Sequence, residues 1–203
     1  MTGQAATPTQ LLSDALRSQA PVGIARDLLA DADDVWGYVV ALSARWVVLQ
    51  SLEAAVYIDG YDVIRVDDIT EVWEDGAAGY IERAVAALGR PAPDVALSQT
   101  AGTADVLQVA RDAADLMCVH FEKDDDAPML VGHLVRLDET TFDLQLIDPG
   151  GVWEVDVAQI ACTEVTRVEF GDRYSVALTR FGDRRPEPEG ARALDSFCTD
   201  EVD

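Results

Sequence analysis

An internal repeat is the feature that most limits the folds open to this chain. Three short segments recur in the same order about 95 residues later in the sequence. Because their order is kept, these matches indicate a duplicated unit rather than chance similarity. The matched pairs are residues 37–42 and 132–137, residues 48–50 and 143–145, and, one residue farther apart, residues 68–72 and 164–168.

Each unit is predicted to begin with a helix and to continue as a series of short strands. Leu12 and Leu16 lie four residues apart, as on one helix face, with Thr9 as a candidate N-cap. In the second unit, Thr103 is the candidate cap of a helix that reaches residue 116. A brief helix is expected to close each unit. Apolar runs and period-two alternation predict strands over 22–27, 36–42, 46–52 and near Asp68, then over 116–122, 129–137, 142–147, 155–157 and near Glu164, with closing helices over 80–88 and 174–181.

One helix and five short strands in about 65 residues are too few for a β-sandwich, whereas a small closed barrel would remove the exposed sheet edges. Each unit resembles the Sm-like and SH3-like small barrels, through Gly-x-apolar-Val-x-Leu strands at Gly37 and Gly132 and Asp/Glu-apolar-Thr-x-Val strands at Asp68 and Glu164. The resemblance, which extends to uncharacterised bacterial proteins of this type, implies an α+β, mainly β fold of two tandem five-stranded barrels, each preceded by a short helix. The expected parts are residues 1–90, residues 91–182 and a disordered acidic tail over 183–203.

Sm-like proteins mostly bind RNA, through a basic-Gly step in the last loop of the barrel. The corresponding loops here, residues 65–68 and 159–162, lack that step. The chain also carries 38 Asp and Glu against 15 Lys and Arg, for a formal net charge of -23. Because nucleic acids and anionic membrane surfaces repel such a chain, we expect neither as a partner.

The two histidines of the sequence, His120 and His133, fall on the two strands of one predicted hairpin. If that hairpin turns near residue 126 or 127, the histidines face each other and Cys118 shares a face with His120. Imidazole and thiolate are ligands that Zn²⁺ favours, so these three residues are weak candidates for a metal site. The alternative is that both histidines face outward and that Cys118 packs as a small apolar residue.

The sequence contains none of the GxSxG, GxGxxG or GxxxxGK motifs, so we expect no enzyme and no cofactor. Four tryptophans could line a groove of the kind in which SH3-like domains bind peptides. Packing in the core and at the rim of a small barrel is the favoured interpretation, because aromatic rings supply most of the area that such a barrel can bury. The four are Trp36, Trp46, Trp73 and Trp153.

Three cysteines without CxxC spacing, and an N-terminus without the features of a secretory signal, predict a cytoplasmic location. The leading functional hypothesis is a non-catalytic protein-interaction or assembly module that binds a protein partner or itself. The alternative is a metal- or small-molecule-binding protein centred on the hairpin of His120 and His133. In the tail, Leu194 and Phe197 could dock on a partner as a short peptide, although solvated disorder is the favoured interpretation.

Overall fold

A computed structural model describes residues 6–30, 32–74, 79–123 and 129–193. For residues 191–193 it describes the backbone alone. The described residues form four helices, eleven strands and a short 3₁₀ helix at Val66–Asp68. The helices are α1 (Pro8–Ser18), α2 (Tyr80–Leu88), α3 (Thr103–Ala113) and α4 (Arg173–Phe181). The strands are β1 (Pro21–Ala25), β2 (Val35–Leu42), β3 (Trp46–Glu53), β4 (Tyr57–Arg65), β5 (Glu71–Glu74), β6 (Met117–His120), β7 (Leu130–Leu137), β8 (Thr141–Ile147), β9 (Trp153–Ala161), β10 (Arg167–Phe170) and β11 (Gly190–Ala193).

All the described strands belong to one sheet, in the order β11-β9-β8-β7-β6-β10-β4-β3-β2-β1-β5. The first unit supplies β5-β1-β2-β3-β4, the second supplies β10-β6-β7-β8-β9, and β4 pairs with β10 between them. Every pairing is antiparallel except that of β11 with β9. The predicted α+β, mainly β class is confirmed. The hydrogen-bonded ladder of the described strands does not close, since β5 and β11 each have one neighbour.

The duplication is visible in the backbone as well as in the sequence. Helices α1 and α3 begin and end 95 residues apart. A register shift interrupts the β2–β3 pairing between Val39 and Ala41, and another interrupts the β7–β8 pairing between Leu134 and Arg136, again 95 residues apart. Because a β-bulge bends its strand and increases the local twist, both units curve at the same point.

Both N-terminal helices begin at caps other than those that the sequence predicts. At α1, the Thr7 hydroxyl accepts from the backbone N–H of Gln10 at 3.3 Å, and the Gln10 side chain accepts from the N–H of Thr7 at 2.9 Å. At α3, the N–H of Gly102 donates to the Asp105 carboxylate at 2.8 Å. The capping box is thus reciprocal at α1, whereas at α3 only its second half is present, because glycine has no side chain to accept a hydrogen bond. The expected caps instead lie inside the first turns: Thr9 and Thr103.

Two strands did not follow from the sequence pattern. Polar residues obscure the alternation in β4, of which Val63 and Ile64 are fully buried. The sequence predicted disorder over 183–203, but residues 190–193 form β11 and pair with residues 156–159 of β9. A sheet edge offers unpaired N–H and C=O groups, which is why a short segment of low apolar content can add to it. Residues 194–203 lie outside the described residues, as do Asp31 and residues 124–128 of the predicted acidic turns.

The core of the described residues consists of two large clusters and two smaller ones. Of the two large clusters, helix α1 covers the smaller with Leu12, and α3 covers the larger with Val106 and Leu107. The larger cluster also contains residues of the first unit, among them Trp46 and Val63. The two units therefore share part of one core. None of the described helices is long and apolar enough to cross a membrane.

Candidate functional site at the junction of the two units

The two units are joined by main-chain pairing between β4 and β10. Residues 61–64 lie antiparallel to residues 167–170. The rings of Tyr61 and Phe170 stack across this pair, with their centroids 5.2 Å apart. Gly60 has a positive φ of 71°, and a Cβ there would lie 2.5 Å from the carbonyl oxygen of Phe170. The close approach of the units at this end of β4 therefore requires glycine.

A network of charges crosses the same strand pair. Arg167 Nε lies 2.5 Å from Asp62 Oδ1, and its Nη2 lies 2.5 Å from Glu169 Oε1. The Ser51 hydroxyl donates to the second oxygen of Asp62 at 2.5 Å, while His120 Nε2 lies 2.8 Å from Glu169. Burial opposes the charge on Arg167, but the carboxylates of Asp62 and Glu169 outweigh it and raise the Arg167 pKa above its usual value. Arg167 thus stays charged as the centre of the junction.

A second ion pair joins β1 of the first unit to β6 of the second. Arg26, which follows β1, pairs with Glu122, which follows β6. Their side chains are 0 % and 7 % exposed. The Thr166 hydroxyl donates to the same Glu122 oxygen at 2.8 Å, and Arg26 donates to the carbonyl oxygen of Asp33 at 3.2 Å. These bonds offset much of the cost of burying the two charges, although Arg26 Nε has no hydrogen-bond partner among the described residues.

The repeated threonine of the Asp/Glu-apolar-Thr-x-Val motif has a structural role in both units. In the second unit, Thr166 Oγ1 accepts from the backbone N–H of Glu122 at 3.1 Å. In the first unit, Thr70 Oγ1 accepts from the backbone N–H of Asp27 at 3.1 Å and donates to its carboxylate at 3.0 Å. The threonine therefore ties the last strand of each unit to the end of its first strand.

A cavity of about 380 Å³ lies beside this network, between the units. Arg167 is the cation in its wall, whereas Trp36, Tyr174 and Met129 supply apolar surface. Among the described residues, no group of three or more His, Cys, Asp or Glu is placed to hold a metal ion. The carboxylates in the wall are Asp33, Asp34, Glu53, Asp59, Asp62, Glu169 and Asp172.

The structure does not bring the proposed zinc ligands together. Cys118 pairs with Val131 across the β6–β7 ladder, so the predicted register was wrong and His120 is not opposite His133. The histidines are offset by four residues along the ladder, which corresponds to about 13 Å. His120 contacts Glu169 at the junction, whereas His133 Nδ1 lies 2.9 Å from the carbonyl oxygen of Asp115.

Cys118 lies in the interior beneath α4, with its Sγ 3.5 Å from the hydroxyl of Ser175. Burial raises the pKa of the Cys118 thiol to about 12. The thiol is therefore protonated at neutral pH, in agreement with the alternative that this residue packs as a small apolar side chain. Burial also lowers the pKa of His133, and the nearby guanidiniums of Arg185 and Arg111 lower it further.

The tryptophans do not form a common groove. Trp46 is 1 % exposed within the shared core. Trp36 and Trp73 pack edge to face on the first unit, with ring centroids 5.5 Å apart. Trp153 lies on the second unit and donates its indole N–H to the carbonyl oxygen of Asp183 at 2.9 Å. Their main contribution is to packing.

The loops that the Sm-like resemblance assigns to RNA lie around a cavity of about 730 Å³. Its wall combines two cations, Arg45 and Arg65, with the acidic residues Asp67, Asp105 and Glu139. This mixed wall lacks the excess of positive charge that contacts to a phosphate backbone need.

Sequence reasoning missed the residues of the junction, since their partners lie about 100 positions away. Arg26 and Glu122, for example, are separated by 96 residues. The one feature of the sequence that could have indicated these residues is a charged residue directly after an apolar strand in each unit.

Comparison with known proteins found no matching family model, no matching curated protein and no matching solved structure.

Proposed function

We propose that this chain is a non-catalytic protein-interaction and assembly module, built from two Sm-like small barrels that associate edge to edge. The observation that carries the proposal is the pairing of β4 with β10, because it joins two copies of one unit through their sheet edges. The arrangement of each unit, one helix followed by five antiparallel strands, supports the Sm-like assignment. Strand addition at a sheet edge supplies affinity through main-chain hydrogen bonds.

The same repeat makes the two ends of the sheet complementary in their backbones. By position in the repeat, β9 corresponds to β4, and β5 corresponds to β10. The β9 edge of one copy would therefore pair with the β5 edge of another, head to tail. Two features restrain this contact: β11 covers β9, and Glu71 and Glu74 place negative charge on β5.

The test is to expose the β9 edge and to measure self-association. A chain that ends at residue 183 lacks β11 and leaves β9 unpaired on that side. We expect this shortened chain to form dimers or larger species as its concentration rises, while the full chain associates less at the same concentration. Size-exclusion chromatography with light scattering measures the mass, and far-UV circular dichroism confirms that the sheet is retained.

A synthetic peptide of residues 184–203 is the matched control, because it restores β11 in trans. We expect excess peptide to return the shortened chain to the mass of the full chain. A peptide of the same composition in scrambled order should have no such effect. A shortened chain that keeps its sheet and remains monomeric at every concentration would contradict association through this edge.

A further inference from the structure

Each unit holds a buried glutamine at the same place in its sheet. Gln50 and Gln145 lie 95 residues apart and are 1 % and 0 % exposed. The Nε2 of Gln50 donates to the carbonyl oxygen of Pro91 at 3.1 Å, and the Nε2 of Gln145 donates to that of Pro186 at 3.2 Å. The duplication therefore reaches beyond the closing helices, and each unit serves as a control for the other.

In the first unit an arginine completes the site. Arg90 precedes Pro91, and its Nε donates to Gln50 Oε1 at 2.6 Å. Its guanidinium lies over the ring of Tyr38, 3.9 Å from the centroid, and Nη1 donates to Gln19 Oε1 at 3.1 Å. A planar cation thus fills this position by stacking on a ring and donating to two carboxamide oxygens.

In the second unit the corresponding oxygen has no donor. Gln145 Nε2 donates to the carbonyl oxygens of both Glu154 and Pro186, which fixes the orientation of the carboxamide. Gln145 Oε1 is buried and accepts no hydrogen bond from the described residues. A buried acceptor without a donor has lost its hydrogen bond to water and has gained none in return, which is unfavourable. The structure therefore contains an acceptor that lacks its donor.

The residues that hold Arg90 are replaced in the second unit. His133 stands in the position of Tyr38, and Ala114 stands in the position of Gln19. Arg185, the counterpart of Arg90, is exposed and lies at the wall of a cavity of about 430 Å³. His133 lines the same cavity and is the cross-strand neighbour of Gln145. The carboxamide of Gln145 is buried behind the cavity wall, beside a ring of that wall on which a planar group can stack.

We propose that a guanidinium group binds at this cavity in the place that Arg90 occupies in the first unit, with the His133 ring of the wall as its stacking surface and the buried Gln145 Oε1 behind that wall as its acceptor. The group is carried by an arginine side chain of a partner protein or by a free arginine-like molecule. Trp153, Leu116 and Leu178 supply apolar wall for its aliphatic stem. The carboxylates of Asp115 and Asp183 in the wall offset the charges of Arg184 and Arg185. This site is independent of the sheet-edge association proposed above.

The test is a titration of the full chain, labelled with ¹⁵N, followed by NMR. The probes are free L-arginine, N-acetyl-arginine methylamide and, as a control of equal charge, N-acetyl-lysine methylamide. We expect saturable shifts of the Trp153 indole and Gln145 side-chain signals with both arginine probes and weaker binding of the lysine probe. Stronger binding of the capped probe points to a partner's side chain, whereas stronger binding of free L-arginine points to the small molecule.

Two variants locate the binding. Gln145→Met removes the acceptor, and we expect it to weaken arginine binding roughly tenfold or more, as for the loss of a charge-assisted hydrogen bond. The double variant Ala114→Gln/His133→Tyr rebuilds the residues that hold Arg90, so Arg185 should fill the position and exclude the probes. Gln50→Met in the first unit is the matched control and should leave the Trp153 shift unchanged.

Two results would overturn the proposal. Equal binding of the lysine and arginine probes would mean that only the net charge of the chain attracts them. The absence of a saturable shift with any probe would mean that water satisfies Gln145 Oε1. Because the double variant keeps the buried glutamine, it tests the site even where Gln145→Met does not fold.

Discussion

Single residues at the junction carry charge into the interior of the protein. Arg26 and Glu122 come from different units and form an ion pair with each other. Replacing both ions with well-packed apolar groups is often neutral or stabilising, whereas removing one partner leaves an unpaired buried charge and costs about 3–5 kcal/mol. Each of the two charges is therefore tolerated in the interior only while its partner is present.

Arg26→Met should destabilise the protein by about 3 kcal/mol, because it leaves Glu122 buried without its cation. The double variant Arg26→Met/Glu122→Met should recover most of that loss, and the coupling between the two sites follows from the double-mutant cycle. Unfolding in urea, followed by circular dichroism, measures each value. The exposed pair of Arg17 and Asp14 is the control: Arg17→Met should change stability by less than about 0.5 kcal/mol. A similarly small change for Arg26→Met would show that the buried pair does not hold the units together.

At the scale of the elements, the repeated glycines explain why the two units bend alike. Gly37 in β2 and Gly132 in β7 face the main chain of the neighbouring strand. A Cβ at these positions would lie 2.6 Å from the carbonyl oxygen of Gln50 and 2.4 Å from that of Gln145. The Gly-x-apolar-Val-x-Leu motif thus records a close approach of two backbones beside the bulges.

Gly37→Ala and Gly132→Ala should each destabilise the protein by about 1–3 kcal/mol, because a backbone carbonyl cannot move aside as a flexible side chain can. Gly102→Ala is the matched control, since its Cβ would meet nothing closer than 3.9 Å and its φ of -97° suits any residue. Urea unfolding measures all three. If the losses at Gly37 and Gly132 were no larger than at Gly102, the close approach of the strands would not be what the motif conserves in both units.

The sequence predicted the positions of the helices and strands better than it predicted which strands and side chains contact one another. Apolar periodicity placed β2, β3 and α2 to within a residue or two, because each depends on its own side chains. The β6–β7 register could not be predicted, since a run of acids separates the strands without a defined turn signal. The junction depends on contacts such as Arg167 with Asp62, which lie 105 residues apart and leave no local pattern. The buried carboxamide of Gln145 was visible as part of the repeat but not as an unpaired acceptor.

At the scale of the whole molecule, the two units depend on each other. The larger core cluster joins Trp46, Val48 and Val63 of the first unit to Leu144 and Phe170 of the second. Fully burying one such side chain contributes about 1.5–3 kcal/mol. Separating the units would expose these residues, break the β4–β10 ladder and leave Arg167 without Asp62. A net charge of -23 over the whole chain adds repulsion that the shared core must outweigh.

The chain should therefore unfold in one cooperative transition. Trp46 reports on the shared core through its fluorescence and circular dichroism reports on the sheet, so the two urea curves should coincide. A variant with Trp46 as its only tryptophan isolates the fluorescence of the shared core. Its urea curve by circular dichroism is the control with which the fluorescence curve is compared. Residues 1–91 and 92–203, produced separately, should lack native stability and recover it on mixing, because each then regains the core and the strand pair that it lost. Two separate transitions, or a fragment 1–91 as stable as the full chain, would show instead that the duplicated units fold independently and meet only after folding.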